Sequence, residues 1–350
     1  MMMPRKILPK AAIPEWVDQL RENYRLMAPR PVKDRFVFAE VDSAADFTLD
    51  YPTTILPPKK ALLPPRETLI RFDNQTASAE PILDPPATVI LGVHTCDLHA
   101  IALLDEVFTR HYADQHYLSR RESLTIVSVE CLKPCSEEAF CKDMDTLNVP
   151  DRFDLHLTNL GDAYAVDIGS QKGEALLQEF APVLEASPED QRAYDRVLSN
   201  KWSQFSYRLQ AGAYELPSTL NLGFKSTLWE ELGERCLGCG LCNLVCPTCY
   251  CFDIQDETDF SLNVGERYRV WDSCQLSPFA VVAGGHDFRP SRAERLRHRF
   301  LRKYRYQTQA TGMMGCVGCG RCAQACLVEI APIEVLNTLY RRCLATERKP

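Results

Sequence analysis

Two uninterrupted apolar runs stand out in the first half of the chain. TVILGV, residues 88–93, and LTIVSVE, residues 124–130, are rich in β-branched residues and read as buried strands. After the first run, Leu98, Ile101, Leu104 and Phe108 recur at helical spacing and mark one buried helix face. Further strands are expected in FDLHLTNL and AYAVDIGS, within residues 153–170. Strand, helix and strand in this order predict an α/β domain whose sheet is at least partly parallel.

Weaker patterns flank this region. Trp16, Val17 and Leu20 share one face of a docking helix expected over 14–27, with Pro14 in its first turn. Residues 30–65, including TTILPPKKALLPP, are rich in proline and β-branched residues and are expected as an extended covering layer. Helices over 172–184 and from 188 to about 209, the latter capped by Ser187, connect this domain to the second unit. Pro332 opens a last helix bearing Ile333, Val335, Leu336, Leu339 and Cys343, whose thiol is assigned to the core. With the boundary near Leu216, the expectation is an α/β domain over 1–215. A mostly helical, ferredoxin-like dicluster domain is expected over 216–350, giving α+β overall.

Cysteine spacing adds chemistry to the second unit. CLGCGLCNLVCP carries Cys236, Cys239, Cys242 and Cys246, and CVGCGRCAQACL carries Cys316, Cys319, Cys322 and Cys326. Both follow C-x2-C-x2-C-x3-C, a bacterial ferredoxin spacing for iron bound by thiolate. Three closely spaced thiolates can hold three corners of a 4Fe-4S cube, and in two-cluster ferredoxins the fourth cysteine crosses to the other cluster. That rule pairs Cys326 with Cys236, Cys239 and Cys242, and Cys246 with Cys316, Cys319 and Cys322. Zinc is the bland alternative, but its sites are usually built from separated C-x2-C pairs.

Seven more cysteines are candidate ligands. Cys249, Cys251 and Cys274 lie between the runs, as buried small hydrophobes, as ligands of an additional centre or as a redox-active thiol pair. Cys96 and Cys131 each follow a predicted strand, with Cys135 and Cys141 close behind. Strand carboxyl ends are where open α/β sheets carry sites, so these four are either a possible third iron–sulfur centre or structural thiols. His94 and His286, near cysteine segments, read as structural.

Charge and missing motifs narrow the function. The 40 Lys and Arg against 47 Asp and Glu give a net charge of -7, which offers no overall attraction to nucleic acid or anionic lipid. The basic stretch holding Arg289, Arg292, Arg295, Arg297, Arg299, Arg302, Lys303 and Arg305 is expected as a solvated helical face, with docking of an acidic partner as the sharper reading. Sixteen cysteines in 350 residues, with no apolar export segment in MMMPRKILPKAAIPEW, point to reduced cytoplasmic thiols, and no membrane span is expected. Neither G-x-G-x-x-G after a strand nor a P-loop occurs, so no nucleotide or flavin site is predicted and flavin is expected on a partner.

Beyond the cysteine runs, the segments LGVHTCDLHAIALLDEVF, SRRESLTIVSVEC, AFCKDM, CPTCYCFDIQD and VWDSCQLSPFAVVAGGHDFR extend the pattern over most of the chain from about Lys59. Together they resemble the iron–sulfur beta subunit of cytoplasmic sulfhydrogenases and the related iron–sulfur subunit of anaerobic sulfite reductases. Two departures are HTC, where that family often has Arg-Pro-Cys, and AFC, where Ala139 replaces a cysteine. The resemblance implies an electron-transfer subunit, not itself catalytic, with two 4Fe-4S clusters. Its partners would be either a nickel–iron hydrogenase or a sirohaem sulfite reductase, together with a flavin/NAD(P)-binding reductase subunit. The alternatives are a self-contained sulfur-compound reductase using Cys249, Cys251 or Cys274, and a zinc-stabilised binding module.

Overall fold

A computed structural model describes residues 5–178, 180 and 182–347. Residues 1–4 and 348–350 of the two expected units, and residues 179 and 181 of the helix expected over 172–184, lie outside the described residues. The chain begins with β1 (Lys6–Pro9), α1 (Ile13–Asn23), β2 (Arg25–Val32), β3 (Arg35–Glu40), β4 (Arg66–Asp73) and β5 (Ser78–Pro81). It continues through β6 (Thr88–His94), α2 (Thr95–Thr109), α3 (Gln115–Ser123), β7 (Leu124–Val129), β8 (Leu155–Asn159) and β9 (Ala163–Ile168). Then come α4 (Gln171–Gln178), β10 (Leu184–Glu185), α5 (Pro188–Gln204), α6 (Leu216–Leu222), α7 (Leu228–Arg235) and α8 (Leu241–Leu244). The last elements are β11 (Phe252–Thr258), β12 (Val264–Trp271), α9 (Arg292–Leu301), α10 (Gln307–Thr311), α11 (Arg321–Gln324) and α12 (Pro332–Glu347).

Eight strands form a mixed sheet in the order β10-β1-β9-β8-β7-β6-β2-β3. Its centre, β2, β6, β7 and β8, is parallel, and antiparallel strands extend both sides. Apolar runs suit β6 and β7 because both faces are covered. Trp16, Val17 and Leu20 of α1 pack with Val89, Leu91, Val127 and Val129 on one face, so α1 does dock. On the other, Leu98, Ile101 and Leu104 of α2 meet Ile90, Val93 and Ile126. A bulge at Gly92 (φ +84) shifts the register between Leu91 and Val93, which turns Val93 onto the face of Ile90.

Local expectations needed correction at element ends. The first helix stops at Asn23 rather than 27, because residues 25–27 pair in parallel with residues 88–90 and Pro29 and Pro31 come next. Residues 30–65 are not only a cover: β2 and β3 form one edge of the main sheet. The helix expected from 188 ends at Gln204, and Ser187 does cap it, accepting from Asp190 N. The fourth helix ends at Gln178, and Leu184 lies in β10.

A second, antiparallel sheet has the order β11-β12-β4-β5. The insertion between the cysteine runs therefore contains a β-hairpin, where a mostly helical unit was expected. That hairpin pairs with β4 from the first part of the chain, Val264 opposite Asp73 and Val270 opposite Arg66. Behind it, Leu216, Leu220, Trp229, Leu296, Phe300 and Leu336 form a separate helical core, against which Cys343 packs. Among the described residues no helix is long and apolar enough to cross a membrane.

Candidate metal centre

The two cysteine runs adopt the same local structure. In each, a glycine in the left-handed region, Gly240 (φ 78, ψ -11) or Gly320 (φ 75, ψ -12), opens a single helical turn, α8 or α11. The preceding glycines, Gly238 and Gly318, also have positive φ and donate their N–H to Cys236 Sγ and Cys316 Sγ, each at 3.4 Å. Ile330 N donates to Cys326 Sγ at 3.3 Å. Backbone donors aimed at sulfur stabilise thiolate over thiol. The two turns pack against each other, so one duplicated unit is brought face to face.

Across this junction the runs exchange neighbours. Cys326 lines one apolar cavity together with Cys236, Cys239 and Cys242. Cys246, buried, lies close enough to Cys316 and Cys319 for its charge to raise both thiols, after burial itself has done so. Burial pushes Cys316 up to about 11 and Cys242 up to about 12, with Arg299 opposing the latter shift. Cys246 moves the other way, chiefly because Cys249 donates to it, with Lys303 and Arg299 adding their positive charge against burial. An iron–sulfur cluster fits this donor set: thiols grouped across the junction, backbone N–H groups on sulfur and a cavity among four cysteines. A single zinc ion fits less well, since among the described residues no three Cys, His, Asp or Glu converge as one ion requires.

The basic stretch is not a solvated face throughout. Arg295, Arg299 and Lys303 are buried, along α9 and the π-helical turn Arg302–Tyr306. Arg299 donates to Asn243 Oδ1 at 3.0 Å and to Cys242 O at 3.2 Å, and Lys303 donates to Thr248 Oγ1. Lys59, also buried, donates to Cys249 O at 2.6 Å. None of these four cations pairs with a carboxylate among the described residues. Charges this deep need anions nearby; around Arg299, Lys303 and Lys59 the neighbouring groups are cysteines, whereas Arg295 donates to Arg289 O and Pro290 O. The sequence did carry a signal: Arg295, Arg299, Lys303 and Gln307 recur every four residues among the buried Leu296, Phe300 and Tyr304.

Elsewhere, Cys249, Cys251 and Cys274 line a second cavity against the first run. Cys274 is held down to about 6, first by a hydrogen bond from Cys251 and then, against burial, by Asn243 and Gln275. The four cysteines of the α/β part gather beyond β6 and β7. Cys131 packs with Cys141, accepts from Thr95 Oγ1 at 3.4 Å and shares a cavity with Cys135, while Cys96 packs beside Cys319. Burial pushes Cys131 up to about 11 and Cys141 up to about 12. The buried cations here are already committed, Arg321 to Asp97 at 2.6 and 2.7 Å and Lys201 to Glu130 at 2.7 Å. His94 stacks on Tyr51, ring centroids 4.3 Å apart, and burial holds it down to about 4. His286 is exposed, edge-on to Phe288.

Comparison with known proteins agrees with this donor set. The family model of a 4Fe-4S dicluster domain matches residues 235–330. Over 325 residues the chain is 35% identical to sulfhydrogenase 2 subunit beta of Pyrococcus furiosus, spanning 93% of this chain and 95% of that protein. No solved structure matches the chain. Identity of that extent, running through both cysteine runs and the α/β part alike, places the chain in the sulfhydrogenase beta-subunit family.

Proposed function

We propose that the chain relays single electrons through two 4Fe-4S clusters. One is held by Cys236, Cys239, Cys242 and Cys326, the other by Cys316, Cys319, Cys322 and Cys246. The carrying observation is the exchange across the junction: Cys326 shares a cavity with the first three thiols, while Cys246 Sγ meets Thr248 Oγ1 at 3.2 Å and that hydroxyl donates to Gly315 O at 2.7 Å, next to Cys316. When bound, such clusters store and pass one electron at a time. The chain supplies thiolates, N–H donors to sulfur, and buried Arg299 and Lys303 to balance negative charge.

A relay needs groups at both ends. The relative is by name one subunit of a larger protein, and the proposed partners are a catalytic subunit, nickel–iron hydrogenase or sirohaem sulfite reductase, and a flavin/NAD(P)-binding subunit. The chain then works as two units, 1–215 and 216–350, stitched by the antiparallel sheet. Cysteines held as metal ligands rather than disulfides at both runs suit the cytoplasm. Purifying the full chain without air tests the cluster reading. In Cys239→Ser and Cys319→Ser, the EPR signal of one cluster each should be altered or lost while the other persists; loss of neither would overturn the assignment.

A further inference from the structure

Three thiols outside the two runs share one cavity. Cys249 and Cys251, from CPTCYC, and Cys274, beyond β12, line a space of about 330 Å³. Asn243 and Gly315, which adjoin Cys242 and Cys316, line it too, so it borders both runs. The hairpin sets the spacing: Asp272 N donates to Cys251 O at 3.0 Å, which continues the β11–β12 ladder and returns Cys274 beside Cys251. Asn243 Nδ2 donates to Cys274 Sγ at 3.0 Å and Gln275 Nε2 at 3.7 Å. Amide N–H groups on sulfur favour thiolate, and a purely structural thiol does not need them.

The charge around the cavity points the same way. Arg299, Arg302 and Lys303 line it, and neither Arg299 nor Lys303 pairs with a carboxylate among the described residues. In the α/β part the opposite holds, because Arg321 and Lys201 are committed to Asp97 and Glu130. Of the two extra cysteine groups, the one between the runs has spare positive charge for bound anionic thiolates. Its donors are too dispersed for a single ion, since no three converge on one point among the described residues. A cluster of several irons spans such spacing.

We propose that Cys249, Cys251 and Cys274 hold a third iron–sulfur cluster, with His298, on the wall of the same cavity, as the fourth ligand. Such a centre adjoins the junction of the two runs, because Cys249 N donates to Cys246 O at 3.4 Å. It extends the two-cluster reading, and its test is separable from that one. Iron, acid-labile sulfide and zinc are measured on the anaerobically purified full chain, with and without Cys249→Ser/Cys251→Ser/Cys274→Ser. The parent should carry about twelve irons, and the variant about one third fewer, with the EPR signals of the motif clusters unchanged. His298→Asn should alter the third signal alone. Parent iron of about eight, equal metal in parent and variant, or zinc in place of the lost iron would each overturn the proposal. Should the triple variant lose all metal, the parent count and His298→Asn still decide. Failure of the two-cluster reading shows separately, as Cys239→Ser and Cys319→Ser leaving every signal in place.

Discussion

Arg321 joins the second cysteine run to the main sheet, and its removal should be costly. It lies in α11, beside Cys322, and its guanidinium meets both oxygens of Asp97, in the first turn of α2, at 2.6 and 2.7 Å. Side-chain exposures are 2% and 0%. Arg321→Met leaves the Asp97 carboxylate buried without its cation and frees Thr54 O, which accepts from Nε at 3.1 Å. Breaking a buried pair from one side costs about 3–5 kcal/mol, a large part of the roughly 5–15 kcal/mol that holds a domain folded. Asp97→Asn removes the charge and keeps the shape, so Arg321→Met/Asp97→Asn should recover about half of the loss of Arg321→Met. Anaerobic urea unfolding of the full chain, monitored by circular dichroism, reads all four proteins. A loss below about 1 kcal/mol for Arg321→Met, or strict additivity in the double variant, would refute a coupled buried pair.

Other outcomes rest on single side chains. Gly320→Ala puts a Cβ 2.8 Å from the Glu138 carbonyl carbon at φ +75, whereas Gly312→Ala, at the same φ, meets nothing within 4 Å. Both should lose about 1–2 kcal/mol for the left-handed backbone, and Gly320→Ala more in the same melts; equal losses would deny the close approach. His94 is depressed in the fold from 6.5 to about 4, so protons bind the unfolded chain first. Stability present above pH 6.5 should fall by about 3 kcal/mol as pH drops through 4, and His94→Phe should flatten that part of the pH–stability curve. Lys303→Met removes a buried cation beside Cys246 and Cys249. The midpoint potential of the nearest cluster should drop by on the order of 40–90 mV, for roughly 1–2 kcal/mol of lost attraction to the added electron. A rise in redox titration would contradict the charge-balance role.

Local pattern predicted what depends on local pattern. The apolar runs of β6 and β7 were readable because both faces are buried, and the face of α1 because Trp16, Val17 and Leu20 meet one layer. Its end was not, since Leu26 and Met27 continue a helical spacing but are claimed by pairing with Val89 and Ile90. Charge misled at Arg295, Arg299 and Lys303: a basic run suggests water, but all three are buried, Arg299 and Lys303 beside thiols and Arg295 on backbone carbonyls. Spacing singled out the eight motif cysteines, but not the side chains that meet the cysteines in the fold: Asn243 within the first run, Thr248 just after it, and Lys59 from far upstream. The second sheet was hidden because β4 and β12 find each other across roughly 190 residues of chain, which no short window reads.

That separation also sets an order of events at the ribosome. Residues 66–73 leave the tunnel long before residues 264–270, their partners, exist. At about 5–20 residues per second the edge waits about 10–40 s. An unpaired edge is a template for other chains, and Arg66, Glu67, Arg71 and Asp73 space charge along this one. Those side chains guard the nascent chain until the hairpin arrives.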